Sequence, residues 1–397
     1  MLERGEGVLR RLLIVPLALA AALAGGAVRR VQDQCGPFTD VSPLFCPYVL
    51  EAYYTGITAG TSPTTFSPDT PITRGQAAVF VTKGLNQALA RGSRRAALGR
   101  WWTTTPHWDI GMGVTTVGSF PRAVACDGSD VWVTNFFDNT VSRVRASDGV
   151  LLETWTGVGT ASQAESTLIA MGKVLALSGG LDGGDLYTID PSQPAGAATL
   201  VANIGNGARS MAFDGSRVFV TNAGGLAGDV YLSIVTPGSA PPWAVQKIHD
   251  ASHSLIGSLL FDGANMWLAG SSLLRLDAAG AVVQEVPIGG TLASMAYDGS
   301  NLWIAGSAGL MMVQASTGTV VATLSGNGLN SPVGVAFDGE RMLATNAIDD
   351  TVSLFRAADL APLGSFPAGT SSIPNQACSD GINFWVTLSG KNQLARY

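Results

Sequence analysis

The residues with the most enzyme-like spacing are two histidines near the middle of the chain. His249 and His253 flank Asp250, and an H-D-x-x-H pattern on a helix could hold a metal ion or supply a general base. The residues around this pattern are instead typical of a strand end and a loop. We therefore predict no metal site and no catalytic residue here, and no bound cofactor.

A different chemistry is suggested by an arginine at a predicted helix start. Thr73 and Gln76 have the spacing of a capping box, and four apolar residues follow at positions suited to the buried side of a helix: Phe80, Val81, Leu85 and Leu89. The free N–H groups of a helix start attract anions, and Arg74 adds a guanidinium that suits a carboxylate. The alternative is that Arg74 pairs with an acidic residue on the surface.

Specific motifs surround Arg74 within residues 36–95. In chain order they are F-T-D-V at 38–41, G-I-T-A-G at 56–60, T-T-F-S-P-D at 64–69 and P-I-T-R-G-Q at 71–76. This order resembles one S-layer homology (SLH) repeat, a small α-helical module. The resemblance implies binding of cell-envelope polysaccharide with acidic or pyruvylated sugars. It implies Arg74 as a ligand, and Asp40, Gly56 and Gly60 as framework or secondary contacts.

Two departures from the family pattern leave the role of this module open. Gln76 stands where the family commonly has Glu, and the family usually works as three tandem repeats, whereas this chain has one. Either three chains associate as a homotrimer through the single module, or the module is a structural cap or a weak tether.

The first residues are typical of a secretory signal peptide. Three arginines precede an uncharged stretch, Leu12–Ala24, which ends in small residues, so residues 1–24 are predicted to be removed on export. The alternative is an uncleaved anchor that extends to Val28. Export permits disulfides. Cys35 and Cys46 lie at the two ends of a short segment and are candidates for a disulfide.

Composition excludes several classes of protein. The chain has 397 residues, of which 46% are hydrophobic and 13% charged, and it contains 49 glycines. Such a chain is too apolar for disorder and is typical of a β-rich, turn-rich protein. A net charge of −6 argues against a nucleic-acid partner, which would require a basic face.

Residues 114–397 contain one repeated pattern, a glycine turn followed by an apolar strand. The turn glycines are Gly128, Gly172, Gly215, Gly263, Gly299, Gly339 and Gly381, and the spacing of about 40–45 residues is that of a four-stranded propeller blade. The sequence therefore predicts a mainly β protein with a seven-bladed β-propeller, joined to the SLH-like module by a linker over 96–113. The Asp-Gly pairs are expected to form two-residue hairpin turns in which both residues have positive φ. The aromatic residue four positions after the glycine is expected in the core.

The ring is predicted to close by pairing of the two ends of the repeat region. The last repeat lacks a fourth strand, and residues 114–120 can supply it. Cys126 and Cys378 then fall on the inner strands of adjacent blades, with side chains on facing surfaces. We predict a disulfide across this seam, and the alternative is two buried thiols.

The repeats W-V-T-N at 132–135 and F-V-T-N at 219–222 resemble the bacterial extracytoplasmic propellers named for a Y-V-T-N motif. We predict an exported cell-surface protein in which the SLH-like module tethers a non-enzymatic binding platform. Its ligand is a protein or glycan on the propeller face, which is expected to carry Asn, Thr and Ser rather than charge. The alternatives are an extracellular lyase or hydrolase with His249 or His253 as base, and a purely structural surface-layer component.

Overall fold

A computed structural model describes residues 38–42, 45, 49, 52–53, 57–90, 113–159, 163–180, 183–224 and 228–397, with the backbone alone over 84–90. The predictions for residues 1–24, Cys35, Cys46, Gly56 and most of the linker lie outside the described residues. The chain divides into two compact units, Met1–Arg91 and Gly92–Tyr397. Within the described ranges, no helix is both long enough and apolar enough to cross a membrane.

The first unit contains a small aromatic cluster and a helix, α1 (Arg74–Ala90). Phe38 is buried and contacts Tyr53 and Phe66 edge to face, with ring centroids 5.1 and 5.6 Å apart. The predicted capping box begins α1, because the Thr73 backbone N–H donates to Gln76 Oε1 over 2.8 Å and the Gln76 N–H donates to Thr73 Oγ1 over 3.2 Å.

The prediction that Val81 lies on a buried side of α1 is wrong. Its side chain is 72% exposed, and among residues 74–83 only Ala77 and Phe80 are half-buried. The buried cluster of this unit is formed by Phe38, Val49 and their aromatic neighbours, with no described residue of α1 among them. The helix therefore presents apolar side chains to solvent.

The second unit is a seven-bladed propeller, as predicted. Each blade is a four-stranded antiparallel sheet with neighbouring strands consecutive in sequence, except where the ring closes. The strands are β1 Gly113–Thr116, β2 Pro121–Cys126, β3 Asp130–Asn135, β4 Thr140–Arg145, β5 Leu151–Trp155, β6 Gln163–Ala170, β7 Lys173–Gly180, β8 Gly183–Ile189, β9 Thr199–Asn203, β10 Ala208–Phe213, β11 Val218–Asn222, β12 Tyr231–Thr236, β13 Ala244–Ile248, β14 Ser258–Phe261, β15 Met266–Ala269, β16 Leu273–Leu276, β17 Val282–Val286, β18 Leu292–Tyr297, β19 Asn301–Gly306, β20 Gly309–Gln314, β21 Thr319–Leu324, β22 Gly334–Phe337, β23 Arg341–Asn346, β24 Thr351–Arg356, β25 Pro362–Pro367, β26 Pro374–Ser379, β27 Phe384–Leu388 and β28 Gln393–Arg396.

The ring closes at blade 7, as predicted. Blade 1 is β2–β5, the next five blades follow in order, and blade 7 combines β26–β28 with β1. Strand β1 pairs with β28, with Gly113 opposite Arg396 and Thr116 opposite Gln393. Cys126 of blade 1 and Cys378 of blade 7 form the predicted disulfide, with Cα atoms 5.9 Å apart. The first and last blades are therefore joined by backbone pairing and by a covalent bond.

The Asp-Gly turns differ from the prediction in one respect, because only the glycine has positive φ. In the six Asp-Gly turns this angle lies between +87° and +100°, and the aspartates are not in the left-handed region. The Asp127 N–H donates to the carbonyl of Asp130, which makes Gly128 the first central residue, as in a type II′ turn. The aspartate is instead the turn's acceptor, and Asp127 Oδ1 accepts the N–H groups of Ser129 and Asp130.

The same aspartates bind the core tryptophans, which the sequence predicts to be buried. Trp132, Trp267, Trp303 and Trp385 are fully buried, and each donates its indole N–H to the aspartate five residues earlier over 2.7–3.1 Å. At Asp298, burial opposes ionisation, but donation from the Trp303 indole and from the Asn301 and Ser300 backbones outweighs it and lowers the pKa of the carboxyl. The aspartates are thus structural residues.

Two of the six blades with an Asp-Gly turn lack the tryptophan and use an arginine instead. In blade 3 the position holds Phe219, and Arg217 donates to Asp214 with Nε and Nη2 over 3.1 and 2.8 Å. In blade 6 the position holds Leu343, and Arg341 Nε donates to Asp338 over 2.6 Å. Both arginines lie two residues after the turn glycine, so the guanidinium replaces the indole as the donor to the buried carboxylate.

Candidate binding site at the mouth of the propeller channel

The first strand of each blade faces the axis of the ring. These seven strands contact one another around the axis and surround a channel with a volume of 540 Å³. Most of the lining side chains are small, and several carry hydroxyl or amide groups: Ser166, Thr167, Ser210, Ser258, Asn375 and Gln376. The Gln376 side chain in blade 7 accepts a hydrogen bond from Ser294 Oγ in blade 5 over 3.3 Å. The wall is therefore rich in polar groups.

Three charged side chains from three consecutive blades meet in this channel. Glu165 of blade 2 binds Arg122 of blade 1 through Oε2, 3.0 Å from Nε, and Arg209 of blade 3 through Oε1, 3.1 Å from Nη1. The Glu165 side chain is only 4% exposed, whereas the two arginines are partly exposed. The expectation of an uncharged binding surface is therefore wrong at these three positions, which we call the channel triad.

β-Bulges direct the channel triad inward. The pairing register shifts between Pro121 and Val124 in β2, between Ala164 and Ser166 in β6, and between Ala208 and Ser210 in β10. Arg122, Glu165 and Arg209 lie within these shifts. A bulge adds a residue to one strand and redirects its side chain, which is a common use of bulges near functional sites.

Neighbouring residues hold the bulges in place. A Cβ atom at Gly179 would lie 2.6 Å from Glu165 Cγ and 2.0 Å from the Ala208 carbonyl oxygen, so only glycine leaves room for Glu165 here. Across the closure seam, Thr387 Oγ1 donates to the carbonyl of Arg122 over 3.3 Å and Ser389 Oγ donates to that of Pro121 over 2.7 Å. Blade 7 therefore helps to position the arginine of blade 1.

The channel triad carries one excess positive charge when all three groups are ionised. Burial raises the pKa of Glu165, against the opposing effect of the two guanidiniums, and burial also lowers the pKa of Arg122. Arginine stays protonated at physiological pH. Glu165 uses one oxygen for each arginine, so each guanidinium keeps further N–H groups for an external acceptor.

An aromatic group lies beside Arg122. The guanidinium carbon of Arg122 is 4.7 Å from the centroid of the Phe136 ring. The Phe137 ring packs against both Phe136 and Phe120, with ring centroids 5.1 Å apart in each pair. The segments that carry these rings are tied together, because the N–H of Phe136 donates to the carbonyl of Phe120. Phe137 is 62% exposed. The exposed Phe137 therefore lies one ring beyond the Phe136 ring that contacts Arg122.

The SLH-like unit places its predicted ligands on separate features. Asp40 accepts the N–H groups of Phe66 and Ser67 over 2.8 and 2.7 Å, and the first of these bonds is the main reason that its pKa is lowered. A Cβ at Gly60 would lie 2.5 Å from the Phe38 ring. Both residues thus hold the 60–67 turn. Arg74 is the first residue of α1 and is exposed, and no residue in the described ranges forms an ion pair with it.

The two histidines lie in the loop between β13 and β14, and neither lines the channel. His253 Nδ1 is 2.9 Å from Asp250 Oδ2, and His249 Nδ1 is 3.2 Å from Asp229 Oδ1. The described residues contain no group of three or more His, Cys, Asp or Glu arranged to hold a metal ion.

Sequence reasoning missed the channel triad, although the repeat carries a signal for it. Arg122 and Arg209 each stand six residues before a turn glycine, Gly128 and Gly215, where four other blades have glycine, alanine, valine or asparagine. Glu165 stands seven residues before Gly172, because Gly172 is the second central residue of its two-residue loop, Met171-Gly172, whereas Gly128 is the first central residue of its loop. Charged residues at the same place in consecutive repeats indicate a shared surface in a ring.

Comparisons with known proteins agree with both units. Residues 37–78 match the family model of the S-layer homology domain. No curated protein is detectably similar to the chain. Among solved structures, the chain is similar to virginiamycin B lyase from Staphylococcus aureus, with 12% identity, a TM-score of 0.58 and coverage of 72% of this chain and 98% of that one. A streptogramin B lyase gives 14% identity, a TM-score of 0.57 and coverage of 72% and 98%. The β-propeller domain of Cps50 (Swd1) from Myceliophteria thermophila gives 10%, 0.55, and 72% and 99%. At these identities the likeness shows the propeller fold alone.

Proposed function

We propose that this protein is an exported, non-enzymatic binding platform. It consists of an S-layer homology domain, which is associated with the cell surface, and a seven-bladed propeller. The SLH domain tethers the chain to envelope polysaccharide with acidic or pyruvylated sugars, and the propeller binds a protein or glycan ligand at its channel mouth. The observation that carries the proposal is the family match over residues 37–78.

The geometry of the SLH unit supports a tether that depends on Arg74. The guanidinium is exposed at the first residue of α1, beside the free N–H groups of the helix start, and the capping box fixes where the helix begins. A sugar carboxylate can accept two parallel hydrogen bonds from one guanidinium. Asp40 and Gly60 support the preceding turn and are not free to bind in the same way.

The tether is tested by co-sedimentation with purified envelope polysaccharide. We expect the intact protein to pellet and Arg74→Ala to lose about tenfold in affinity, the usual effect of losing one charge-assisted hydrogen-bonding group. Arg145→Ala is the control, because Arg145 is an exposed arginine of the propeller whose one ion pair among the described residues is with the exposed Asp148. If a chain that begins at residue 110 pellets, the wall is a ligand of the propeller. If all of these chains pellet and are released only by added salt, the result contradicts a specific tether.

We also propose that three chains associate through their single SLH modules. Ile72, Val79 and Val81 are all more than half exposed around α1, and an unpartnered apolar surface favours association. Analytical ultracentrifugation is expected to show a trimer for the intact protein and a monomer for Val81→Asp. Thr82→Asp is the matched control, because Thr82 is an exposed neighbour on the same helix. A monomer at all concentrations would instead favour the structural cap or weak tether.

The alternative of a lyase or hydrolase has one specific observation in its favour. The Asp250 carboxylate could orient His253 as a base, since their side chains are 2.9 Å apart. Against it, the imidazole Nε2 faces Glu285 at 3.8 Å and lies outside the channel lining. An activity on an extracellular substrate that His253→Ala abolishes would overturn the binding-platform proposal.

A further inference from the structure

We propose that the channel mouth binds a carboxylated saccharide, with Arg122 and Arg209 as the residues that hold the carboxylate and Phe137 as the surface for the sugar ring. This inference rests on the binding role proposed for the propeller, and it does not depend on the tether in the SLH domain.

The charge of the channel triad favours an anion. Two guanidiniums share one buried carboxylate, which leaves an uncompensated positive charge where the channel opens. Glu165 also orients both arginines, since each of its oxygens binds a different one. The remaining N–H groups of the two guanidiniums are then held at fixed positions with little conformational entropy left to lose on binding.

The surroundings favour a saccharide over a larger or more apolar anion. The channel wall offers hydroxyl and amide groups, including Ser166, Ser210 and Asn375, which can exchange hydrogen bonds with sugar hydroxyls. The Phe136 ring lies against Arg122, and one ring beyond it Phe137 is 62% exposed and packs against both Phe136 and Phe120. The negative face of an aromatic ring attracts the C–H groups on the apolar side of a pyranose. Carboxylate, hydroxyls and an apolar ring face occur together in a uronic acid or a pyruvylated sugar.

The test measures binding of D-glucuronate to the full chain by saturation-transfer difference NMR, a method that detects millimolar affinity. D-Glucose is the neutral probe and glucose 6-phosphate the phosphate probe. We expect saturation transfer to glucuronate, little to glucose, and a loss of about tenfold in affinity in Arg209→Ala. Arg145→Ala is the matched control, because its side chain is 46% exposed compared with 45% for Arg209, and we expect no change in it.

Two further variants separate the roles within the site. Glu165→Gln raises the charge of the channel triad from one to two and keeps one acceptor oxygen, so one guanidinium stays bound and the other is released toward the ligand. Glucuronate should therefore bind several-fold more tightly in this variant. Phe137→Ala should weaken the binding of glucuronate, because it removes the surface for the sugar ring and no charge. Thermal unfolding of each variant shows whether the propeller is intact. Arg209→Ala leaves the pair of Arg122 with Glu165 in place, so it tests the site even if Glu165→Gln does not fold.

Absence of saturation transfer to glucuronate, or an unchanged affinity in folded Arg209→Ala, would overturn the inference. Binding of glucose 6-phosphate without glucuronate would overturn the assignment of a carboxylate. These outcomes are independent of the tether, which is measured with Arg74→Ala on envelope polysaccharide. Loss of one with retention of the other identifies which of the two proposals has failed.

Discussion

Replacing Cys126 by serine is expected to lower the free energy of unfolding by about 5 kcal/mol on the chain-entropy estimate for a disulfide. The cysteines are 252 residues apart in sequence, so their bond encloses nearly the whole propeller. A covalent link over so long a segment removes many conformations from the unfolded chain. The folded chain should still form, because β1 continues to pair with β28 across the same seam.

Chemical denaturation of Cys126→Ser, Cys378→Ser and the double variant measures this contribution. If the effect comes from the bond, the double variant should be no less stable than either single variant, because the first substitution already removes the link. Reduction of the unaltered protein should give a similar loss. Additive losses in the two single variants would show that the packing of each side chain, rather than the disulfide, carries the effect.

The sequence was sufficient to predict the propeller because six of the seven blades join their first two strands by the same Asp-Gly turn. Only a residue without Cβ easily adopts positive φ at the first central position, so the glycines mark these six blades in register, whereas blade 2 has Met171 at that position and Gly172 after it. Strand β1 could be assigned to blade 7 because the last repeat lacked a strand. The predicted positive φ of the aspartates was wrong, because Asp127 contributes to the turn through its side chain, which accepts two backbone N–H groups.

The channel triad could not be predicted in the same way, since it depends on a bulge in each of three strands. Arg122, Glu165 and Arg209 are far apart in sequence, and simple alternation of a strand does not indicate which side faces the axis where the register shifts. In the SLH domain, the capping box was predictable because it is local. The exposure of Val81 was not, because it depends on which residues fill the small aromatic cluster.

Replacing Arg341 by alanine is expected to lower the free energy of unfolding by about 3–5 kcal/mol, the range for removing one partner of a buried ion pair. The Asp338 side chain is 0% exposed, and Arg341 Nε donates to it over 2.6 Å. The guanidinium carbon also lies 5.1 Å from the centroid of the Phe384 ring in the next blade. Without Arg341, Asp338 would keep two backbone N–H donors but lose its only oppositely charged partner among the described residues.

Arg356→Ala is the matched control, because Arg356 and Asp359 lie in the same blade with the same three-residue spacing but are about half exposed. A solvent-exposed pair contributes about 0–1 kcal/mol, so this variant should unfold almost as the unaltered protein does. The double variant Asp338→Asn with Arg341→Met should recover much of the loss, because it leaves no buried charge without a partner. Equal effects of Arg341→Ala and Arg356→Ala in urea denaturation would show that burial of the pair is not what makes it important, and that the arginine does not replace the tryptophan of the other blades as a structural donor.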